Sequence, residues 1–310
     1  MMSQWFFIIN PVSGGGRGRR VWKSVQKELT RRGVSHRSFL TGHPGHAEVL
    51  ARQISMMQDH KLKRLFVIGG DGTMHEVING LKGTDQIELT FVPAGSYNDF
   101  SKGLGIKKAA LLQEIKSLHR PLTRKFFAGN INFFHDKAQS LYFINHLSVG
   151  FDASVLKAAA NFPFSRVLRF LRLGFVIYPL AHLHTASGFQ PFRFICTADG
   201  QRREFRNVWF VIAANHPYYG GGMKAAPSAN PRQNHFDIVI AENLSFFSLY
   251  RFLWAMSFGR HIKMDGVTMI KGKEFVFETD GKIPFHADGE LIGTTPFRLM
   301  PGGAPLKIKT

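Results

Sequence analysis

Along the first third of the chain, short apolar runs alternate with longer stretches in which apolar residues recur every three or four positions. Trp5–Asn10 reads as a buried strand, Arg19–Arg32 as an amphipathic helix stopped at Gly33, Val34–Leu40 as a second strand and Ala47–Asp59 as a second helix. Leu65–Ile68, a helix after Thr73, strand Leu89–Val92 and helical Ala109–Leu118 complete the series. Met74, Val77, Ile78 and Leu81 form the apolar stripe of the helix after Thr73, at i, i+3, i+4 and i+7. Short strands alternating with helices of this length predict a parallel, doubly wound α/β sheet, which binds ligands at the carboxyl ends of its strands.

After about Pro121 the pattern changes. Aromatic and β-branched runs take over at Ser140–Val149, Pro191–Thr197, Asn207–Ala214, Phe236–Ile240, Val267–Ile270 and Glu274–Glu278. Helical stretches lie between them near Asp152–Ala160, Ser165–Leu183 and Phe246–Ser257. Closely spaced strands with turn signals predict a β-sandwich-like second domain. There is no internal repeat and no low-complexity linker, so two domains in close contact are expected.

Composition narrows the function. At 310 residues the chain can bury two cores. Lys plus Arg exceed Asp plus Glu by 40 − 21 = 19, a basic surface suited to nucleic acid, an anionic membrane or polyphosphate. The excess is spread from Arg17 to Lys309, and no RNP signature, zinc-finger spacing or DNA-binding helix pair accompanies it, so nucleic acid is not the expected partner. A single cysteine, Cys196, excludes an intrachain disulfide framework and sits in an apolar run as a core residue. Trp5–Asn10 is too short for a signal-peptide core. No run reaches about 18 consecutive apolar residues; Phe162–His184 comes nearest, interrupted by Arg166, Arg169, Arg172 and Pro179. That stretch reads either as a helix resting at a membrane interface or as a domain helix with a solvated face.

The chemistry concentrates in four turns. Val67–Ile68 runs into Gly69, Gly70, Asp71, Gly72 and Thr73, and then a helix begins. Glycines there let a polyphosphate approach the backbone, and the helix N-terminus offers unpaired N–H groups. A carboxylate among them would repel phosphate unless it holds a cation or takes a proton, which points to phosphoryl transfer. Asn10-Pro11-Val12-Ser13-Gly14-Gly15-Gly16-Arg17-Gly18 is neither a Walker loop nor GxGxxG, but forms a flexible basic lip or an ordinary loop. Pro93-Ala94-Gly95-Ser96-Tyr97-Asn98-Asp99-Phe100 follows another strand and places Asp99 at the same sheet edge as Asp71. His286-Ala287-Asp288-Gly289-Glu290 reads in isolation as a hairpin turn. Asp152 reads either as facing the pocket of the phosphoryl acceptor or, the favoured reading, as a cap for the helix that follows it.

Taken together, GGDGTMHEVINGL, PAGSYNDFSKGLGI, GGGMKAAP at Gly220–Pro227 and the closing HADGE resemble the diacylglycerol kinase catalytic-domain family of bacterial lipid kinases, related to sphingosine and ceramide kinases. The resemblance runs from Asn10 to the C-terminus. It implies an NAD-kinase/phosphofructokinase-like nucleotide domain over residues 1–120, a β-sandwich domain over 121–292, and a return to the first domain over 293–310. It implies ATP and Mg²⁺ in the cleft, with nucleotide contacts at Asn10, Thr41, Gly70, Asp71, Gly72, Thr73, Glu76 and Ser96. Asp71 and Glu290 become the catalytic carboxylates, with Asp71 holding magnesium and Asp99 joining it through water.

Two departures from the family stand out. Phe127 occupies the place of an acid in many relatives, which makes diacylglycerol a doubtful acceptor and points to another lipid. In Ala229–Asp237, where relatives carry acids that can hold a structural magnesium, Gln233 and Asn234 are neutral and Asp237 stands alone, so no second metal is expected. The resulting expectation is a cytoplasmic ATP-dependent lipid kinase acting on a lipid at an anionic membrane surface, peripheral at its inner face, with a homodimer compatible with the sequence. The alternatives are a soluble NAD-kinase-like enzyme and a weakly catalytic nucleotide- or lipid-binding member.

Overall fold

The computed structural model describes residues 4–57, 63–82, 84, 87–106, 123–134, 140–162, 177–303 and 305–309. The first sheet contains β1 (Gln4–Ile9), β2 (His36–Leu40), β3 (Lys63–Gly69), β4 (Ile87–Pro93) and β5 (Thr123–Phe126). The chain's last strand, β19 (Leu306–Lys309), inserts between β4 and β5, giving the order β2-β1-β3-β4-β19-β5. β19 runs parallel to β4 and antiparallel to β5.

Helices α1 (Ser13–Arg31), α2 (His46–Met56), α3 (Asp71–Leu81) and α4 (Asp99–Leu104) follow the first four strands in turn. Alternation along β1 sends Phe6 and Ile8 into one core with α2 and α3. The same alternation sends Phe7 and Ile9 into another with Trp22, Val25 and Leu29 of α1. Helices on both faces explain why β1 and β3 are continuously apolar rather than alternating. The expected helix over Ala109–Leu118 lies outside the described residues.

The second sheet is antiparallel throughout. It contains β6 (Gly129–Phe133), β7 (Ser140–Phe143), β8 (His146–Gly150), β9 (Phe192–Ala198), β10 (Gln201–Ala214), β13 (Phe236–Glu242) and β14 (Val267–Gly272). β15 (Phe275–Thr279), β16 (Pro284–Ala287), β17 (Glu290–Thr294) and β18 (Phe297–Pro301) complete its 11 strands. Two-residue strands β11 (Tyr218–Tyr219) and β12 (Met223–Lys224) pair separately. β16 and β18 are well separated in the strand order, yet Phe285 and Phe297 bring their ring centres to 4.2 Å. The sheet therefore folds over on itself as a sandwich, around a core rich in phenylalanine. Helices α5 (Phe151–Ala160), α6 (Ile177–Gly188) and α7 (Phe246–Ser257) pack on its outer face.

Several boundaries differ from expectation for physical reasons. The return to the first sheet is made by Leu306–Lys309, not from residue 293, because Phe297 and Leu299 belong to the sandwich core. Thr123–Phe126 remains with the first sheet, where Phe126 packs on Phe100. Helix α1 begins at Ser13, ahead of the expected Arg19, through three glycines in left-handed geometry (φ 56, 65 and 86). The expected run Ser140–Val149 breaks at Ile144 and Asn145. Of the expected helix Ser165–Leu183, the part before Ile177, with Arg166, Arg169 and Arg172, lies outside the described residues.

Candidate active site

The strand order places β2 on one side of β1 and β3 on the other, so the chain reverses direction across the sheet between β1 and β3. The carboxyl ends of these strands carry the first two turns. Asn10 Nδ2 donates to Thr73 Oγ1 across the switch point at 3.0 Å, and the Thr41 N–H donates to Ile9 O at 2.8 Å. The turn after β4 closes the group. A Cβ added to Gly95 would lie 2.5 Å from the Gly70 Cα, so only glycine permits this approach of the two turns. Arg17 Nη1 donates to Gly95 O at 3.0 Å and ties the glycine lip to the same place. Glu76 faces α2, where its Oε2 accepts the Ala47 N–H at 3.0 Å.

Asp71 opens α3 and its carboxylate caps α4. Oδ2 accepts the Asp99 N–H at 2.9 Å and Oδ1 the Phe100 N–H at 3.2 Å. Burial pushes the Asp71 carboxyl up to about 6 against those two hydrogen bonds, and the charges of Asp99 and Asp288 add to the rise. Asp99 bridges the domains: Oδ1 lies 2.9 Å from Lys102 Nζ, and Oδ2 accepts the Gly221 N–H at 2.7 Å. That contact is what the GGGMKAAP segment supplies.

The distant HADGE segment is a hairpin, with Asp288 (φ 51) and Gly289 (φ 87) as its two-residue turn. The fully buried acid in it is Asp288. Its carboxylate accepts the backbone N–H groups of Ile144 (2.7 Å), Asn145 (2.8 Å) and His146 (3.2 Å) and pairs with His75 Nδ1 at 2.7 Å. Those three N–H groups are why the run Ser140–Val149 divides into two strands. Burial opposes charge on both partners, but their mutual attraction outweighs it, holding Asp288 below the usual carboxylate range and raising His75. On the next turn of α3, Asn79 Nδ2 donates to Tyr142 O at 2.8 Å and its Oδ1 accepts the Tyr142 N–H at 2.9 Å. The helix behind the GGDGT turn is thus clamped to the sandwich.

Between the domains lies a cavity of about 790 Å³. Asp71, Gly72, Ser96 and Asp99 line one side; Asp288 and Gly289 reach it from the far end of the chain. Glu290 does not line it. That side chain is exposed at the start of β17, close enough for its charge to raise His75. Asn10, Thr41, Gly70, Thr73 and Glu76 stand behind the lining.

The opposite wall is apolar, with Leu156, Phe210, Ile212, Met223, Leu253 and Met256, and holds a polar cluster around Asp152, whose partners Tyr178, Tyr219 and His286 sequence reasoning did not single out. Asp152 Oδ1 accepts the Tyr178 hydroxyl at 3.0 Å; Oδ2 accepts the Tyr219 hydroxyl and lies 2.5 Å from His286 Nε2. Burial alone would raise the Asp152 carboxyl, but His286 and the two hydroxyls hold it well below its ordinary range. Asp152 makes no cap: the residue before α5 is Gly150, and no side-chain cap bond forms. Burial pushes the neighbouring His146 down to about 4, so it is neutral at pH 7. The signal in sequence was four polar residues inside apolar runs, each unremarkable alone.

Phe127 does not line the cavity. Its N–H donates to Pro231 O at 3.0 Å and its carbonyl accepts Asn215 Nδ2 at 2.7 Å. At the second departure, Asp237 is fully buried, with Ser228 Oγ 2.5 Å from Oδ2 and Lys271 Nζ 3.5 Å from Oδ1. Cys196 is buried in the sandwich core, where burial pushes its thiol up to about 12.

The cavity lining contains Asp71, Asp99, Asp152 and Asp288 but no lysine or arginine among the described residues. The carboxylate oxygens of Asp71 and Asp99 are already engaged by N–H and ammonium donors. This set suits a hydrated Mg²⁺ held through water and by phosphate oxygens, rather than a closed all-protein cage. Among the described residues no group of three or more His, Cys, Asp or Glu side chains is gathered to hold a metal directly.

Known proteins are similar to this chain in sequence and in fold. Residues 4–131 match the diacylglycerol kinase catalytic domain, and residues 145–308 the YegS C-terminal NAD kinase beta sandwich-like domain. A Bacillus subtilis (strain 168) protein named "Putative lipid kinase YtlR" is 64% identical over 309 residues, covering 100% of both chains. A diacylglycerol kinase of Mycobacterium tuberculosis is 26% identical over 302 residues, 97% of this chain and 93% of its own. The solved structure of a "putative diacylglycerol kinase" from Bacillus anthracis str. Sterne superposes with a TM-score of 0.73 over 99% of this chain and 96% of that one, at 21% identity, a likeness of fold. The glycine turns, the sandwich that closes over them and a relative matched end to end agree: this chain belongs to the diacylglycerol kinase catalytic-domain family of lipid kinases.

Proposed function

We propose that this protein transfers the γ-phosphoryl group of ATP to the hydroxyl of an uncharged lipid, working from the cytoplasmic side at the inner membrane face. The observation that carries this reading is the shared cleft. Asp71 and the Asp288–Gly289 turn open onto one cavity, and its other wall is apolar around Asp152.

Each wall has its own task. The turns after β1, β3 and β4 take the nucleotide, with Asn10, Thr41, Gly70, Gly72, Thr73, Glu76 and Ser96 shaping or lining its seat. Bound Mg²⁺ would supply charge neutralisation for a triphosphate lying beside Asp71 and Asp99. Asp71 takes the proton of the attacking lipid hydroxyl as its oxygen bonds the γ-phosphorus and the bond to the β–γ bridging oxygen breaks. A carboxyl at about 6 is ionised at pH 7 yet basic enough to accept that proton. Glu290, exposed beside Gly289 of the lining, would help hold the hydrated metal and the nucleotide from the solvent side. Asp152, oriented by His286 and Tyr219, accepts a hydrogen bond from the acceptor headgroup. Among the described residues the lining holds no lysine or arginine, which disfavours anionic headgroups there.

The test is transfer of label from γ-labelled ATP to lipids extracted from membranes, with NAD offered in parallel. Labelled lipid is the expected result. Label in NAD alone would assign the protein to soluble NAD-kinase-like chemistry, and nucleotide binding without transfer to either would make it a non-catalytic binder.

A further inference from the structure

Helix α7 is apolar on two sides. Its inner face buries Leu249, Phe252, Ala255 and Met256, and Leu253 and Met256 reach the cavity. Its outer face exposes Phe247 at 84%, Trp254 at 62% and Phe258 at 57% of their full surface. These three stand at i, i+7 and i+11, one stripe of the helix. Ser245 and Ser248 form a reciprocal capping box, so the stripe is carried on a preformed helix.

Between Glu242 and Asp265 the chain is one-sided in charge. From Asn243 to Met264 there is no Asp or Glu, while Arg251, Arg260 and Lys263 are exposed. The Arg260 guanidinium lies 6.0 Å from the Phe258 ring centre. Helix α6 continues the face: Leu180 and Leu183 are exposed, Pro179 and His182 line the cavity, and the His182 ring approaches Tyr250 of α7 at 5.8 Å. The helices that wall the cavity on their inner sides thus present aromatic, leucine and basic side chains outward.

We infer that the outer face of α7, extended by α6, docks the enzyme on an anionic lipid bilayer, so that the acceptor enters the cavity between the two helices from the membrane. Exposed aromatics ringed by arginine and lysine, with no acid among them, match the acyl–headgroup boundary of such a bilayer in both polarity and charge. The inference rests on the lipid-kinase reading for its purpose but not for its measurement.

Trp254 is a built-in probe, because Trp22 and Trp209 are buried and Trp5 is half-buried. The full chain is titrated with phosphatidylglycerol vesicles and, separately, phosphatidylcholine vesicles, each with and without brominated acyl chains. The expected result is quenching by brominated phosphatidylglycerol at low salt and at least tenfold weaker binding to phosphatidylcholine. The double variant F247S/F258S is expected to lose at least tenfold in vesicle binding. Its turnover of an acceptor dispersed in detergent should match the parent, while turnover of vesicle-borne acceptor falls in step with binding. Equal binding by parent and variant, or an unquenched Trp254, overturns the docking face. So does concentration-dependent self-association in sedimentation that the double variant abolishes while vesicles remain unbound, since the face would then meet a second copy. Vesicle binding without phosphorylation of any lipid leaves the docking face standing and removes the kinase reading instead.

Discussion

The two walls of the cleft are built in opposite ways. On the nucleotide side two of the three turns are contiguous segments carrying their own glycines and acid: Gly69 to Thr73 after β3, Pro93 to Asp99 after β4. On the acceptor side Asp152, Tyr178, Tyr219 and His286 come from four elements, and Asp152 and His286, 2.5 Å apart, are separated by 134 residues. Phosphate binding asks for exposed backbone N–H groups, and the glycines that let the backbone present them stand in the turn itself. Recognition of a hydroxyl-bearing headgroup asks for side chains, which any fold can gather from anywhere. One wall is therefore visible as a motif, and the other only as geometry.

Removing Asp71 should have the largest effect on activity. Asp71→Asn is expected to lower kcat by about 10²–10⁴-fold, with nucleotide still bound. The parent rate should rise with pH through an apparent pKa near 6, set by the buried Asp71 carboxyl. The sign for stability is the reverse. A carboxyl raised on folding favours the native state at low pH, and that advantage declines as pH rises from the ordinary carboxylate range through about 6. Asp71→Asn keeps an acceptor for only one of the two backbone N–H groups at every pH, so the test is the change with pH. Between pH 5 and 8 the parent should lose roughly 1–2 kcal/mol relative to the variant, which denaturant titrations at the two values measure. A fully active Asp71→Asn enzyme would remove the assignment of the nucleotide wall.

The join between the walls comes next. His75 and Asp288 are a buried pair from the two domains, and leaving Asp288 without its partner in His75→Ala should cost about 3–5 kcal/mol. His75 is raised on folding, so its contribution is complete below the ordinary histidine pKa and is lost as pH climbs through the folded value. Asp288 is lowered, so its contribution holds above the ordinary carboxylate pKa and is lost as pH falls through the folded value. The stability gap between parent and His75→Ala should thus be widest in the mildly acidic window between them. Urea titrations across pH test this, and a flat gap would mean that the pair is uncharged.

How much could be read in advance follows from where each cause lies in the chain. β1, β3 and β4 are legible because strands covered on both faces are continuous apolar runs. The helix over Asp71–Leu81 is legible from its own stripe of Met74, Val77, Ile78 and Leu81. The break at Ile144–Asn145 was not, because Asp288, 144 positions from Ile144, causes it. Asp152 read as a helix cap or a pocket residue with the cap favoured, because carboxylates near helix starts often are caps; the two tyrosines and the histidine that decide for the pocket belong to other elements. The segment His286–Glu290 read as a hairpin and also as a source of catalytic acid. The hairpin formed, and its buried carboxylate is Asp288.

The acceptor wall should respond differently from the nucleotide wall. Asp152→Asn keeps the shape and removes the charge. About a 10–100-fold loss in kcat/KM for the lipid is expected, the size of one or two charge-assisted hydrogen bonds. The KM for ATP should not move. If Asp152 merely held the fold, lipid and nucleotide parameters would decline together with stability; a loss confined to the lipid assigns the residue to the acceptor.

Glu290 is where the two readings of the closing hairpin part, and its effect should be the smallest. Exposed outside the cavity lining, it interacts with the metal–nucleotide complex in high dielectric, where a charge at 4 Å contributes only about 1 kcal/mol in bulk water and more near the surface. Glu290→Gln should therefore raise the KM for Mg·ATP by no more than about tenfold, leave the pH profile near 6 in place, and weaken further in high salt. The pH profile is the deciding readout, since a residue that takes the hydroxyl proton must appear in it. If Glu290→Gln abolishes turnover and erases the limb near 6 while Asp71→Asn leaves it, the proton goes to the hairpin acid, and the cleft must close further than this structure shows to bring Glu290 to the reacting oxygen.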